Sequence, residues 1–218
     1  MTLDELRLYL APMIADAAVF DGWGEEALAM TAEMADVDPD VARLAFKAGS
    51  ASARSMVMIE AWIDHIDNAM AKQLTQDVLA QMKIRERIRA LVAFRLEMVD
   101  GQEEAVRRAL AIMAAPQNAR RALQTGWRSA DIMWRLAGDQ ATDYNHYTKR
   151  AILASIYGAT LAVFVDDESE DKAETKAFLD RRIEGVMRFE KVKSQLLRPG
   201  AERFSMTRFL GRLRYPAR

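Results

Sequence analysis

Apolar residues recur along this chain at intervals of three and four positions. Leu3, Leu6, Leu10, Met13, Ile14 and Ala17 share one helix face by this spacing, and no stretch alternates apolar with polar residues as a half-buried strand must. The pattern confines the chain to an all-α fold. Phe20 to Gly24 interrupts the first helix and a second runs from Gly24 to Asp36. Asp38-Pro39 supplies an N-cap and first-turn pair for a short third helix carrying Val41, Leu44 and Ala45. Met56, Ile59, Ile63, Ile66 and Met70 form the stripe of a long fourth helix; Ile84, Ile88, Leu91, Val92, Leu96 and Val99 repeat it before Gly101. Gln102 to Ala115 is stopped by Pro116, and Gln117 to Ala137 by Gly138. Tyr144 to Val165 is apolar nearly all round. The acidic loop Asp166 to Asp171 leads into a ninth helix with Phe178, Ile183 and Met187 inward, and Pro199-Gly200 sets off a last short one.

Charge is balanced in sum but divided along the chain. Residues 1–48 hold ten acids against Arg7, Arg43 and Lys47, a net of −7, whereas residues 181–218 hold eleven bases against three glutamates, a net of +8. The chain contains no cysteine, which removes disulfides, thiolate metal sites and cysteine nucleophiles, and suits a reducing cytoplasm. The acidic start, with Asp4, Glu5 and Asp16 against Arg7, reads as neither a secretory signal nor an Arg-rich transit peptide. The longest uncharged stretch, Ala151 to Val165, is shorter than the roughly 17 to 25 residues of a membrane-spanning helix.

No catalytic constellation assembles. Di-iron bundles use two Glu-x-x-His pairs, and neither His65 nor His146 has Glu three residues before it. A phosphate loop, a dinucleotide glycine fingerprint and a Gly-x-Ser-x-Gly elbow are all missing. His65, beside Asp64, reads as a rim histidine. The expectation is a protein that is not an enzyme, with no cofactor and no metal.

Three features remain. The first three helices have the lengths and tight joints of a helix-turn-helix unit, yet the unit is acidic, and its third helix offers Asp40, Arg43 and Lys47 without Asn or Gln. It lacks what phosphate neutralisation and base-edge reading require, so nucleic-acid binding is not expected. The segment from Ser129 to Arg150 mixes aromatics, amides and carboxylates beyond what a helix hairpin needs; Asp143 is a candidate cap for the helix that follows. Trp134 has core spacing, but Ile132, Met133 and Leu136 occupy other faces of the same helix. The last helix gathers Phe204, Met206, Phe209, Leu210 and Leu213 on one side and Arg203, Arg208, Arg212 and Arg214 on the other, the pattern of an interfacial helix drawn to an anionic membrane surface.

Asp131-Ile-Met-Trp, the run from Ala137 to Tyr157 and the acidic turn Asp166-Asp167 resemble the lipid-binding accessory proteins of coenzyme Q biosynthesis; Gly22-Trp23-Gly24 followed by Glu25-Glu26-Ala27-Leu28 is a weaker likeness. The resemblance implies a TetR-like fold of about nine helices plus a C-terminal amphipathic helix. It also implies that the protein binds isoprenoid lipid or a ubiquinone intermediate and presents it to demethoxyubiquinone hydroxylase at the membrane. Asp131 and Trp134 match family residues that meet the hydroxylase; Arg135 departs from the aromatic that mitochondrial relatives carry there. With no transit peptide read at the start, the resemblance implies a bacterial member, cytoplasmic and peripheral on the inner membrane face, or on the matrix side in a eukaryote.

Apolar residues in excess of one inward stripe mark Trp127, Met133, Ile152, Leu153, Ile156, Tyr157 and Phe164 as candidate walls of the lipid cavity. The likeness, with the all-round apolarity of Tyr144 to Val165, further implies a homodimer formed by that helix and the next. The expected division is residues 1–48 for the helix-turn-helix-like part, 49–198 for the lipid-binding and dimerisation core, and 199–218 for the membrane-contacting helix. A TetR-type ligand-responsive transcriptional regulator is the competing reading, and a plain structural dimer a third.

Overall fold

The computed structural model describes residues 1–140 and 144–196, which form ten α-helices, one 3-10 turn and no strand. Helix α1 (Leu3–Asp21) begins in a reciprocal cap: the Thr2 hydroxyl accepts from the Glu5 amide at 3.2 Å, and the Glu5 carboxylate accepts from the Thr2 amide at 2.7 Å. It ends at Gly22, where φ is +74°. Helices α2 (Glu25–Met34) and α3 (Pro39–Ala45) follow, the latter capped by Asp38, which accepts from the amides of Asp40 and Val41. Val41 and Leu44 are exposed, and the small Ala42 and Ala45 face inward with Phe46, because this short helix packs close to its neighbours.

Helix α4 (Ala51–Gln73) packs against α1 and, on its other sides, against α6 (Ile84–Glu97), α7 (Glu103–Ala114) and α8 (Ala119–Leu136). Its Met56, Met58, Ile59, Ile66 and Met70 are buried with Leu10 and Ile14 of α1 and Leu91 and Val92 of α6. Unbranched methionine side chains fill such an irregular junction well. Trp23 ties the opening helices to this core: its ring centroid lies 5.2 Å from that of Trp62, and its indole N–H donates to the Ala105 carbonyl at 2.9 Å. Arg108 donates from Nη1 to the Phe20 carbonyl at 2.8 Å, closing the end of α1.

A five-residue helix, α5 (Gln76–Ala80), capped by Thr75, was not foreseen from the spacing; it is too short to carry a periodic stripe. The α8 helix ends in a Schellman arrangement, with Gly138 (φ +89°) donating to the Arg135 carbonyl at 3.0 Å and Asp139 to that of Trp134 at 2.9 Å. Helix α9 (Tyr144–Phe164) then runs beside α8, and the turn Glu170–Lys172 leads into α10 (Ala173–Leu196).

The chain divides into two compact units, Met1–Asp180 and Arg181–Arg218. In the first, Thr175 and Leu179 of α10 are buried while Phe178, expected inward, is half-buried; in the second, Ile183 is buried as its spacing implies, and the Met187 side chain lies outside the described residues. Asp167 fixes the start of that helix. Its buried carboxylate accepts from the amide and hydroxyl of Ser169 and of Thr175, at 2.5 to 2.9 Å. Burial opposes ionisation of this group, but the four hydrogen bonds outweigh it and hold the carboxyl well below the usual range. In the second unit, Arg188 and Glu184 pair along the helix at 3.2 Å. No helix among the described residues is long and apolar enough to cross a membrane.

Candidate functional site

Between α4, α7, α8 and α9 lies a cavity of about 500 Å³, within the range of pockets that take small molecules. Its inner wall is Ile59, Trp62 and Ile66 of α4 with Val106 and Ala109 of α7, all buried or nearly so. Gly126 and Trp127 of α8 form one side, and Ala151, Ala154, Ser155, Gly158 and Leu161 of α9 the other. The space exists because α9 presents small residues here. A Cβ added at Gly126 or at Gly158 would meet nothing within 4 Å. Leu123, 76% exposed, stands at the mouth with Ala151, Ser155 and Gly158, which are also exposed. Two ion pairs hold α8 on α4 in this register, Arg121 with Glu60 and Arg128 with Asp64, each at 2.6 Å.

The floor of this apolar chamber is polar. Arg95 of α6 and Ser129 of α8 both line it, and Arg95 is only 1% exposed. Arg95 pairs through Nη1 with Asp67, itself 3% exposed, and the Ser129 hydroxyl donates to the other Asp67 oxygen at 2.8 Å. The Tyr157 ring covers the guanidinium, 4.7 Å from its carbon to the ring centroid. The Arg95 Nε–H finds no acceptor among the described residues. Its signal in the sequence was a base within the apolar stripe of Ile88, Leu91, Val92, Leu96 and Val99, matched by an acid inside that of Ile63, Ile66 and Met70.

Asp131 and Trp134 lie on the α8 side of a second cluster. Asp131 accepts from Arg150 Nε at 2.5 Å and pairs with Arg135 at 2.7 Å; Asp139 pairs with Lys149 at 2.6 Å and with Arg150 at 3.1 Å. Burial works against the Asp139 charge, but the hydrogen bonds from Lys149 and Arg150 prevail and lower its pKa. The Trp134 indole donates to the Lys149 carbonyl at 3.0 Å, and the Lys149 ammonium sits 5.3 Å from its ring centroid. The Asp-x-x-Trp motif thus clasps α8 to α9, while Arg135 projects outward.

The structure distributes the cavity residues foreseen from sequence among three places. Trp127 and Tyr157 line the chamber. Phe164 lines a different cavity of about 520 Å³ beside α6, with a charged rim that includes Glu86, Arg89, Glu97, Lys172 and Lys176. Met133, Leu153 and Ile156 are buried, and Ile152 is half-buried, but none of the four lines the chamber. Sequence reasoning picked bulky α9 residues, whereas the chamber is bounded by small ones four positions apart, Ala151, Ser155 and, one turn on, Gly158. Asp143 and the residues assigned to membrane contact, Arg203, Phe204, Met206, Arg208, Phe209, Leu210, Arg212 and Leu213, lie outside the described residues. Among the described residues no three His, Asp or Glu side chains gather to hold a metal ion.

An all-helical domain with this order and an internal apolar chamber is a TetR-like fold. It is similar to the crystal structure of the TetR transcriptional regulator from Nitrosomonas europaea, with a TM-score of 0.66 and 22% identity, covering 84% of this chain and 99% of that one. Residues 119–190 match the COQ9 family model. The chain is 33% identical over 180 residues to the ubiquinone biosynthesis protein COQ9, mitochondrial, of Rattus norvegicus, covering 82% of this chain and 58% of that protein. It is 31% identical over 186 residues to the Homo sapiens protein of the same name, covering 82% and 57%. The chain is similar to COQ9 proteins over most of its own length and has a TetR-like fold, and it spans a little over half the length of these curated proteins.

Proposed function

We propose that this chain is a non-catalytic lipid-binding accessory protein of ubiquinone biosynthesis, which holds isoprenoid lipid or a ubiquinone intermediate and presents it to demethoxyubiquinone hydroxylase at the membrane. One observation carries the reading: the roughly 500 Å³ chamber whose walls, above the buried Arg95–Asp67 pair, are mostly aliphatic and aromatic. Such a lining favours an apolar ligand by removing its surface from water. The names of the relatives, ubiquinone biosynthesis proteins, supply the pathway. The hydroxylase contact is assigned to the face that carries Asp131, Trp134 and Arg135. The membrane contact is assigned to the basic amphipathic segment 201–213, which would make the protein peripheral, and the dimer contact to α9 and α10.

A ligand-responsive regulator shares the fold, but its first three helices must meet phosphates. Here Arg7 pairs with Asp4, and Arg43 with Glu25 and Asp40, so two of the three bases of that acidic unit are already paired. The test is organic extraction of the purified full chain followed by mass spectrometry. Prenylated lipid near one equivalent per chain is the expected result. Protein that extracts free of lipid, or carries only phospholipid, would remove the reading.

A further inference from the structure

Apart from Thr125 and Ser155 the chamber's walls are apolar down to its floor, and a hydrocarbon-filled chamber leaves that floor short of acceptors. A guanidinium has five N–H donors. Asp67 accepts from Nη1, Tyr157 offers Arg95 a π face, and among the described residues Nε has no acceptor although Arg95 is buried. Leaving a buried donor unmet is costly, and structures retain such groups where a ligand or water completes them. The charge balance selects the kind of acceptor. Asp67 already neutralises Arg95, and Ser129 donates to Asp67, so the floor is neutral but rich in donors. A carboxylate would add an uncompensated charge in an apolar enclosure and compete with Asp67. A carbonyl or ether oxygen adds an acceptor without a charge.

We propose that this floor reads the headgroup of the bound lipid: it selects a neutral oxygenated ring, such as a quinone carbonyl, on an apolar chain, with the ring inward and the chain leaving past Leu123 and Gly158. Arg95 is the specificity-determining donor, and Asp67 and Ser129 position it. This rests on the reading that the chamber holds lipid.

The test is equilibrium dialysis of the delipidated full chain with three probes that share one chain: a farnesyl-substituted 1,4-benzoquinone, farnesene and farnesoic acid. The quinone binds at least about tenfold more tightly than either of the others, as one charge-assisted hydrogen bond in a buried site allows. In Arg95→Met with Asp67→Asn, which removes both charges together, the quinone falls to the affinity of farnesene and farnesene itself is unchanged. Equal affinities for the three probes in the unaltered protein, tightest binding of farnesoic acid, or a quinone preference that survives in the double variant would each overturn the proposal. If the double variant does not fold, the comparison on the unaltered protein still decides. Binding of none of the three probes to the unaltered protein overturns the lipid reading along with this one.

Discussion

Replacing Gly126 and Gly158 with alanine should stabilise the protein. Both lie inside helices, where glycine is about 0.8 to 1.0 kcal/mol less favourable than alanine, and both face the chamber, where an added Cβ meets nothing within 4 Å. Each substitution therefore gains about 0.5 to 1 kcal/mol, and the pair about 1 to 2 kcal/mol if the sites act independently. For a chain of this size that is roughly 2 to 8 °C in Tm. The measurement is equilibrium urea denaturation of delipidated protein, because bound lipid would add stability by mass action. The expected result is a raised midpoint with an unchanged slope. Gly101→Ala is the control: its Cβ also meets open space, but its φ of +80° penalises any side chain, so that variant loses about 1 to 2 kcal/mol. Destabilisation of Gly126→Ala or Gly158→Ala by 1 kcal/mol or more, against this roughly 1 kcal/mol propensity gain, would mean that the helices touch there and that the chamber does not exist as described.

Asp167→Ala should cost about 1.5 to 3 kcal/mol at pH 7, the scale of hydrogen bonds to a charged acceptor. Because the folded carboxyl titrates below its unfolded value, its contribution is complete above the unfolded pKa and lost as pH falls toward the folded one. Urea midpoints of variant and parent should converge on going from pH 7 to pH 3; a constant gap would refute the assignment. Asp67→Asn alone should cost about 3 to 5 kcal/mol by stranding Arg95, and adding Arg95→Met should restore much of it; a double-variant cycle with no coupling would show that the pair does not interact. Arg135→Ala should leave stability within about 0.5 kcal/mol, since its side chain is 71% exposed, whereas Asp131→Ala removes the acceptor of the buried Arg150 Nε, leaving it only Asp139 as an ion-pair partner, and lowers stability; a hydroxylase pull-down weakened by Arg135→Ala would therefore report contact rather than unfolding. For the basic C-terminal segment, Phe209→Ser with Leu210→Ser should abolish flotation with all liposomes, and Arg208→Gln with Arg212→Gln should weaken it mainly on anionic ones; unchanged flotation with a lowered Tm would place that segment on the protein instead.

Helix positions were legible because caps and stops are local. Thr2, Asp38 and Ser50 cap by their own hydroxyl or carboxyl groups, and Gly22 and Gly138 terminate by their positive φ. The chamber was less legible. Around α9 every face carries apolar residues, so periodicity cannot say which stripe packs and which encloses space. Leu153, Ile156, Thr160 and Phe164 turned out to be the buried face, and Ala151, Ala154, Gly158 and Leu161 the chamber face. Ile156→Trp would accordingly overpack the core at about 1 to 3 kcal/mol, whereas Gly158→Trp would obstruct the chamber at its mouth. The Asp67–Arg95 pair was hidden for a different reason: each charge is visible in its own stripe, but their pairing across α4 and α6 is a tertiary fact. Val41 and Leu44 mislead by composition alone, since a seven-residue helix packed through Ala42 and Ala45 leaves its larger side chains outside.

On the proposed function, lipid occupies the space between α4, α7, α8 and α9. Photocrosslinking reports that directly: the full chain is loaded with a prenyl quinone bearing a diazirine on its chain, irradiated and mapped by peptide mass spectrometry. Labelling should concentrate at the chamber wall and mouth, on Leu123, Trp127, Tyr157 and Leu161, and be lost in Gly158→Trp. Labelling confined to α1–α3 or to the α6 cavity at Phe164, or labelling that persists in Gly158→Trp, would contradict it.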